Sequence, residues 1–122
     1  MKRDLDLIRK IIIYIEAKPD DHNLDPVEIA GYSRETVSYH LGLLADAGYV
    51  EAVNFGGEDQ QAWFVKTLTW EGHNFADLLK SESLWNQAKS ALLKATGTIT
   101  IESLKFVLNE ALNGRLQNHF KV

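Results

Sequence analysis

The chain has 122 residues, 45% hydrophobic and 25% charged, with thirteen Lys plus Arg against seventeen Asp plus Glu and a formal net charge of −4. This composition suits a soluble domain with an appendage and excludes a strongly basic nucleic-acid coat, though not a local basic patch. The lack of cysteine excludes disulfides, thiolate catalysis and Cys-ligated zinc. The longest apolar run, Ile11 to Ile15, is far shorter than the ~20 residues needed to cross a bilayer. The charged start Met1-Lys2-Arg3-Asp4 lacks the apolar stretch of a signal peptide, so the expected location is cytoplasmic, away from membranes.

In chain order, the first element is a helix from Asp4 to about Ala17. Leu5, Ile8, Ile12 and Ile15 repeat at three and four residues and make its apolar stripe. Pro19-Asp20-Asp21 stops it. Asp25-Pro26 has the form of a helix N-cap and first position, predicting a short helix with Val27, Ile29 and Ala30 inward and Gly31 at its end. Ser33 then caps a third helix, with Val37, Leu41 and Leu44 as its buried stripe and Gly48 beyond its end. Tyr49 to Phe55 and Ala62 to Leu68 flank the turn-rich Gly56-Gly57-Glu58-Asp59 and predict a β-hairpin. Three helices follow. The first runs from about Thr69 to Lys80, the second from Ser83 to Ala95 before Gly97, and the third from Thr100 to about Gln117. Trp70 and Trp85 are expected to pack in the core.

Helix, short helix, helix, hairpin is the order of a winged helix-turn-helix, whose third helix can enter a major groove. The segment Ser33-Arg34-Glu35-Thr36-Val37-Ser38-Tyr39-His40-Leu41 with Leu43-Leu44-Ala45-Asp46-Ala47-Gly48 resembles the recognition helix of bacterial ArsR- and MarR-type regulators. Leu68-Thr69-Trp70-Glu71-Gly72 resembles the start of the helix after their wing. The opening Met1 to Ile11 together with Trp70 to Phe75 resembles an uncharacterised family of short bacterial and prophage proteins, a domain of unknown function. That resemblance implies a winged helix plus C-terminal helices and no enzyme activity. Metal sensing of the ArsR type is not implied, because its cysteines are missing.

The candidate DNA-contacting residues are Arg34, Thr36, Ser38, Tyr39 and His40 on the third helix, where Arg can read guanine and hydroxyls can meet bases or phosphates. At about 100° per residue, Glu35, Tyr39, Gly42 and Asp46 fall opposite the stripe, with Arg34 and His40 nearer the core edge. Charge opposes a simple groove reading. Residues 19–80 hold eleven acids against three bases, a net −8, and Glu58-Asp59 stand at the wing tip. The basic residues gather instead at the two ends, each with a net charge of +2. Lys2, Arg3, Arg9 and Lys10 form a candidate phosphate-contacting strip, although Asp6 among them suits a solvated face. Glu71 and His73, like Ser38 and His40, are two apart and point in different directions on a helix, so no catalytic pair is expected. His22, His40, His73 and His119 lack metal-ligand spacing, and Gly56-Gly57 lacks a phosphate-loop pattern.

The fold expected is therefore mainly α with a small β-hairpin: a winged helix-turn-helix domain over residues 1–80 and a C-terminal helical extension over residues 81–122. Ile101, Leu104, Phe106, Leu108 and Leu112 are expected to form a homodimer interface on the last helix. The leading expectation is a non-enzymatic, phage-associated DNA-binding transcriptional regulator without cofactor or metal. The alternative is a protein-interaction module on the same scaffold, its acidic face meeting a basic partner, without DNA binding.

Overall fold

The structure, a computed structural model, describes residues 1–120, with side chains described through Gly114. Arg115, His119 and Lys121, which entered the charge and histidine readings, lie outside those described side chains. Five helices and one antiparallel hairpin follow in the order α1 (Leu5–Glu16), α2 (Arg34–Asp46), β1 (Val50–Asn54), β2 (Trp63–Leu68), α3 (Trp70–Leu79), α4 (Glu82–Thr96) and α5 (Ile101–Phe120). They divide into two compact units, Met1–Asp77 and Leu78–Val122.

In the first unit, Asp4 caps α1 by accepting the Leu7 N–H at 3.1 Å. The buried face of α1 is Leu7, Ile8, Ile11, Ile12 and Ile15, broader than the spacing predicts, while Leu5 is only half-buried. Each such side chain contributes about 1.5–3 kcal/mol of hydrophobic burial. These residues share a core with Val37, Leu41 and Leu44 of α2 and Val65 of β2. In the ladder, Val50 pairs with Leu68 and Glu51 with Thr67, but Ala52 pairs with Val65. Lys66 is thus the extra residue of a bulge, which lets Val65 and Leu68 both be buried although they are three apart.

The short helix expected over residues 25–30 does not form. Asp25 is held extended by a bridge to Val65, with N–H···O distances of 2.9 and 2.8 Å in the two directions. Its carboxylate, expected to cap that helix, instead meets Lys18 Nζ at 2.9 Å. Only five residues then separate the bridge from Gly31, which turns the chain at φ +88°. The Tyr32 N–H closes that turn on Ile29 O at 3.2 Å.

Gly48 ends α2 at φ +83°, and the Tyr49 N–H returns to Leu44 O at 2.9 Å. Thr69 ties α3 to this turn. Its hydroxyl donates to Gly48 O at 2.6 Å and accepts the Gly72 N–H at 3.0 Å. A Cβ at position 72 would overlap the Tyr49 carbonyl, so the close approach requires glycine there. Phe75 packs on Tyr49, ring centroids 5.1 Å apart. Trp70 is not a core residue: it is 79% exposed, because the first turn of α3 points it outward.

In the second unit, Ser81 caps α4 through the Leu84 N–H at 3.1 Å, and Gly97 closes it at φ +75°. Thr100 and Ser103 cap α5 reciprocally, each side chain accepting the other's backbone N–H at 3.0 Å. Trp85, Ala88 and Leu92 of α4 are buried, as are Ile101, Leu104 and Leu108 of α5, and the two helices pack together.

Lys18 organises the loop between α1 and the bridge. Its side chain is 7% exposed, and Nζ donates to Asp20 O at 3.0 Å and Asn23 O at 2.9 Å besides pairing with Asp25. The Asp25 hydrogen bond, reinforced by the charges of Asp20 and Asp25 against the cost of burial, holds the Lys18 ammonium above its ordinary value of 10.5. Backbone N–H groups of Asn23 and His22, with Lys18 nearby, hold Asp20 below its ordinary 3.8. A raised lysine stabilises the fold below its unfolded pKa and loses that contribution as pH rises through the folded one. A depressed carboxyl stabilises above its unfolded pKa and loses that contribution as pH falls through the folded one. Thermal melts should therefore plateau between about pH 5 and pH 9 and decline on both sides. Lys18→Met should lower the plateau and flatten the alkaline decline; an unchanged alkaline limb would contradict this role for Lys18.

Candidate binding cleft

The N-terminal half of α2 is shaped by local hydrogen bonds. Ser33 Oγ accepts the Thr36 N–H at 3.1 Å, and the two hydroxyls lie 2.8 Å apart. The Thr36 hydroxyl is therefore engaged in the cap. Ser38 Oγ accepts the Trp63 N–H of β2 at 3.4 Å. His40, expected at the core edge with access to DNA, is fully buried. Its Nε2 accepts the Asp4 N–H at 2.8 Å, which leaves the proton on Nδ1 to donate to Thr36 O at 2.8 Å. With both nitrogens satisfied and no exposed surface, His40 cannot contact DNA; it ties the start of α1 to α2.

Gly42 also departs from its expected place. Helical arithmetic puts it on the outward face, yet it is buried. A Cβ built there would lie 2.9 Å from Trp63 Nε1, so the indole rests directly on the glycine backbone. The hairpin thus covers the middle of the very face that a recognition helix would present. Glycine inside a helix costs about 1 kcal/mol relative to alanine. That cost was the sequence signal for a close approach here.

Between α2 and the hairpin lies a cleft of about 670 Å³. Arg34, Glu35, Ser38 and Tyr39 line it from α2, and Asp59, Trp63 and Phe64 from the hairpin side. Met1 and Pro26 also line it. Arg34 and Glu35 are exposed, while Tyr39 is half-buried with its ring edge-on to His40 at 5.4 Å. Phe64 is half-buried and held by Phe55, ring centroids 5.5 Å apart, with Phe55 itself 62% exposed. Asn54 fixes the loop between the strands by accepting the N–H groups of Gly56 at 2.9 Å and Ala62 at 3.0 Å. Among the described residues neither Glu35 nor Asp59 has an ion-pair partner.

The proposed basic strip is rearranged. Lys2 and Arg3 precede the α1 cap, so helical spacing does not join them to Arg9 and Lys10. They remain exposed, next to the Met1 that lines the cleft. Arg9 is half-buried, and Lys10 Nζ stands 5.6 Å from the centre of the Tyr32 ring. Burial, followed by the nearby Asp4 carboxylate, pushes the Tyr32 hydroxyl above its ordinary pKa. Of the expected dimer residues, Ile101, Leu104 and Leu108 belong to the core of their own unit, because α4 covers them. Phe106 stays 66% exposed and Leu112 half-buried.

A family model described as a hypothetical protein, DUF2513, matches residues 2–98. The chain belongs to the DUF2513 family. The match takes in both walls of the cleft and stops before α5. A protein of Haemophilus influenzae (strain ATCC 51907 / DSM 11121 / KW20 / Rd), described as an uncharacterized protein, is 31% identical over 117 residues, covering 95% of this chain and 99% of the relative. No solved structure matches significantly. Among the described residues no helix is long and apolar enough to cross a membrane.

His40→Leu removes the acceptor of the Asp4 N–H and should destabilise the fold by about 1–3 kcal/mol, the cost of an unsatisfied buried donor. Urea unfolding followed by circular dichroism checks this, and an unchanged midpoint would contradict the tie between α1 and α2.

Proposed function

We propose that the first unit is a winged helix-turn-helix in reduced form. α1, α2 and the hairpin keep the expected order, and the turn around Gly31 stands where a short helix would be. The ArsR- and MarR-like residues of α2 support this reading. We further propose that the protein is a non-enzymatic module that holds a protein partner in the cleft between α2 and the hairpin. The observation that carries it is Trp63 lying on Gly42, because a helix whose outward face supports an indole is obstructed from lying in a major groove. Charge agrees. Residues 1–77 hold fourteen acids against seven bases, a net −7, whereas each phosphate contact normally takes a Lys or Arg. Ser38, Thr36 and His40 are already engaged in bonds within the unit. No general base stands ready for Ser38, since both nitrogens of His40 are occupied.

The second reading is the DNA-binding regulator. Its support is the Asp4–His40 hydrogen bond, which tethers the segment carrying Lys2 and Arg3 to α2, the helix that also bears exposed Arg34. Fluorescence anisotropy with mixed genomic DNA fragments over a salt series separates the two. The protein-partner reading predicts no saturable binding at low salt. Binding with a steep salt slope, abolished by Arg34→Ala/Tyr39→Ala, would establish the DNA reading in its place.

A further inference from the structure

We infer that the cleft between α2 and the hairpin is a receptor for a cationic side chain, arginine or lysine, on an extended segment of a partner protein. The inference rests on the protein-partner reading and names the chemistry of that partner. Three features of the cleft carry it. Three aromatic rings, Tyr39, Trp63 and Phe64, are part of its lining, and the faces of such rings attract cations. Its two walls each bring a carboxylate, Glu35 from α2 and Asp59 from the hairpin loop. Neither carboxylate is neutralised by an ion pair among the described residues. The surrounding unit is acidic at −7, so the long-range field also draws a cation inward.

Two cationic groups also line the cleft, the Met1 ammonium and Arg34, which lies next to Glu35 on the first turn of α2. A guanidinium there suits the backbone carbonyls of an extended segment, with its fork of donors. The volume of about 670 Å³ holds a side chain and its flanking backbone, within the ~300–1,000 Å³ range of ligand sites. An anion is the poorer occupant, because the net −7 of the surrounding unit repels it even though the Arg34 guanidinium and the Met1 ammonium balance the two carboxylates of the lining. A neutral apolar segment would leave both carboxylates without a partner.

The test uses the full chain and a short fluorescein-labelled glycine–arginine peptide, with its citrulline counterpart as the neutral isostere. Anisotropy should register the arginine peptide, and the citrulline peptide should bind at least about tenfold more weakly. Glu35→Gln/Asp59→Asn should weaken the arginine peptide at least about tenfold, whereas Glu51→Gln/Glu71→Gln, which removes the same charge outside the cleft, should change it less than about twofold. Tyr39→Ala should weaken it without the salt sensitivity of the charge variants. Circular dichroism melts confirm that each variant is folded. Equal losses from the two charge pairs would overturn the inference, since diffuse acidity would then suffice. Equal binding of the citrulline peptide, or no binding of either peptide, would also overturn it. Absent peptide binding together with absent DNA binding leaves the protein-partner reading standing. DNA binding lost in Arg34→Ala/Tyr39→Ala removes both.

Discussion

The cleft between α2 and the hairpin depends on one contact, the indole of Trp63 on the backbone of Gly42. A larger residue at 42 would meet the ring at 2.9 Å, so the hairpin comes this close only because position 42 has no side chain. The Trp63 N–H reinforces the approach by donating to Ser38, one turn earlier on the same helix. Together these two contacts create a wall opposite the first turns of α2. They also cover the middle of the outward face of α2, the face a groove-reading helix would need free. One packing event thus opens a cleft and obstructs a different use of the same helix.

Two other constraints keep α2 and the hairpin in position. His40 fixes α2 against the start of α1: its Nε2 accepts the Asp4 N–H while its Nδ1 is held by Thr36 O within α2, and no water-facing surface is left to loosen it. Lys18 gathers the loop after α1 and holds Asp25, whose backbone in turn bridges Val65 of β2. The strand that supports Trp63 is therefore anchored on both sides, by β1 through its ladder and by Asp25 through its bridge. Such cross-ties connect elements that the loop between α1 and α2 would otherwise leave poorly coupled. Lys18, just before the stretch of eleven acids and three bases, gathers two of those acids, Asp20 and Asp25.

Much of the fold was legible in the sequence because periodicity and caps are local. Val37, Leu41 and Leu44 mark the buried stripe of α2, and Ser33, Gly48 and Gly97 mark helix ends. The uncharacterised family indicated by the two ends of the first domain is also the family to which the chain belongs. The short second helix does not form although Asp25-Pro26 carries a helix-start signal, because Lys18 and Val65, seven and forty positions away, claim the Asp25 carboxylate and backbone. Trp70 was misplaced because composition favours burying an indole, whereas its position at the first turn of α3 decides exposure. The cleft was only half visible. Arg34, Ser38 and Tyr39 were singled out on α2, but Asp59 and Trp63 reach them from about twenty residues away through the hairpin register, which no local pattern encodes. Gly42 was the one clue, an unfavourable residue in mid-helix whose cost is offset by the ring that covers it.

The most direct test of this account is a nuclear Overhauser measurement between the Gly42 α-protons and the Trp63 indole ring. The account predicts strong cross peaks, since a Cβ at 42 would lie within 2.9 Å of the indole nitrogen. A folded chain with no such cross peaks, and with the Trp63 indole N–H exchanging freely with water, would contradict it. The outward face of α2 would then be open, and the cleft would lose one of its walls.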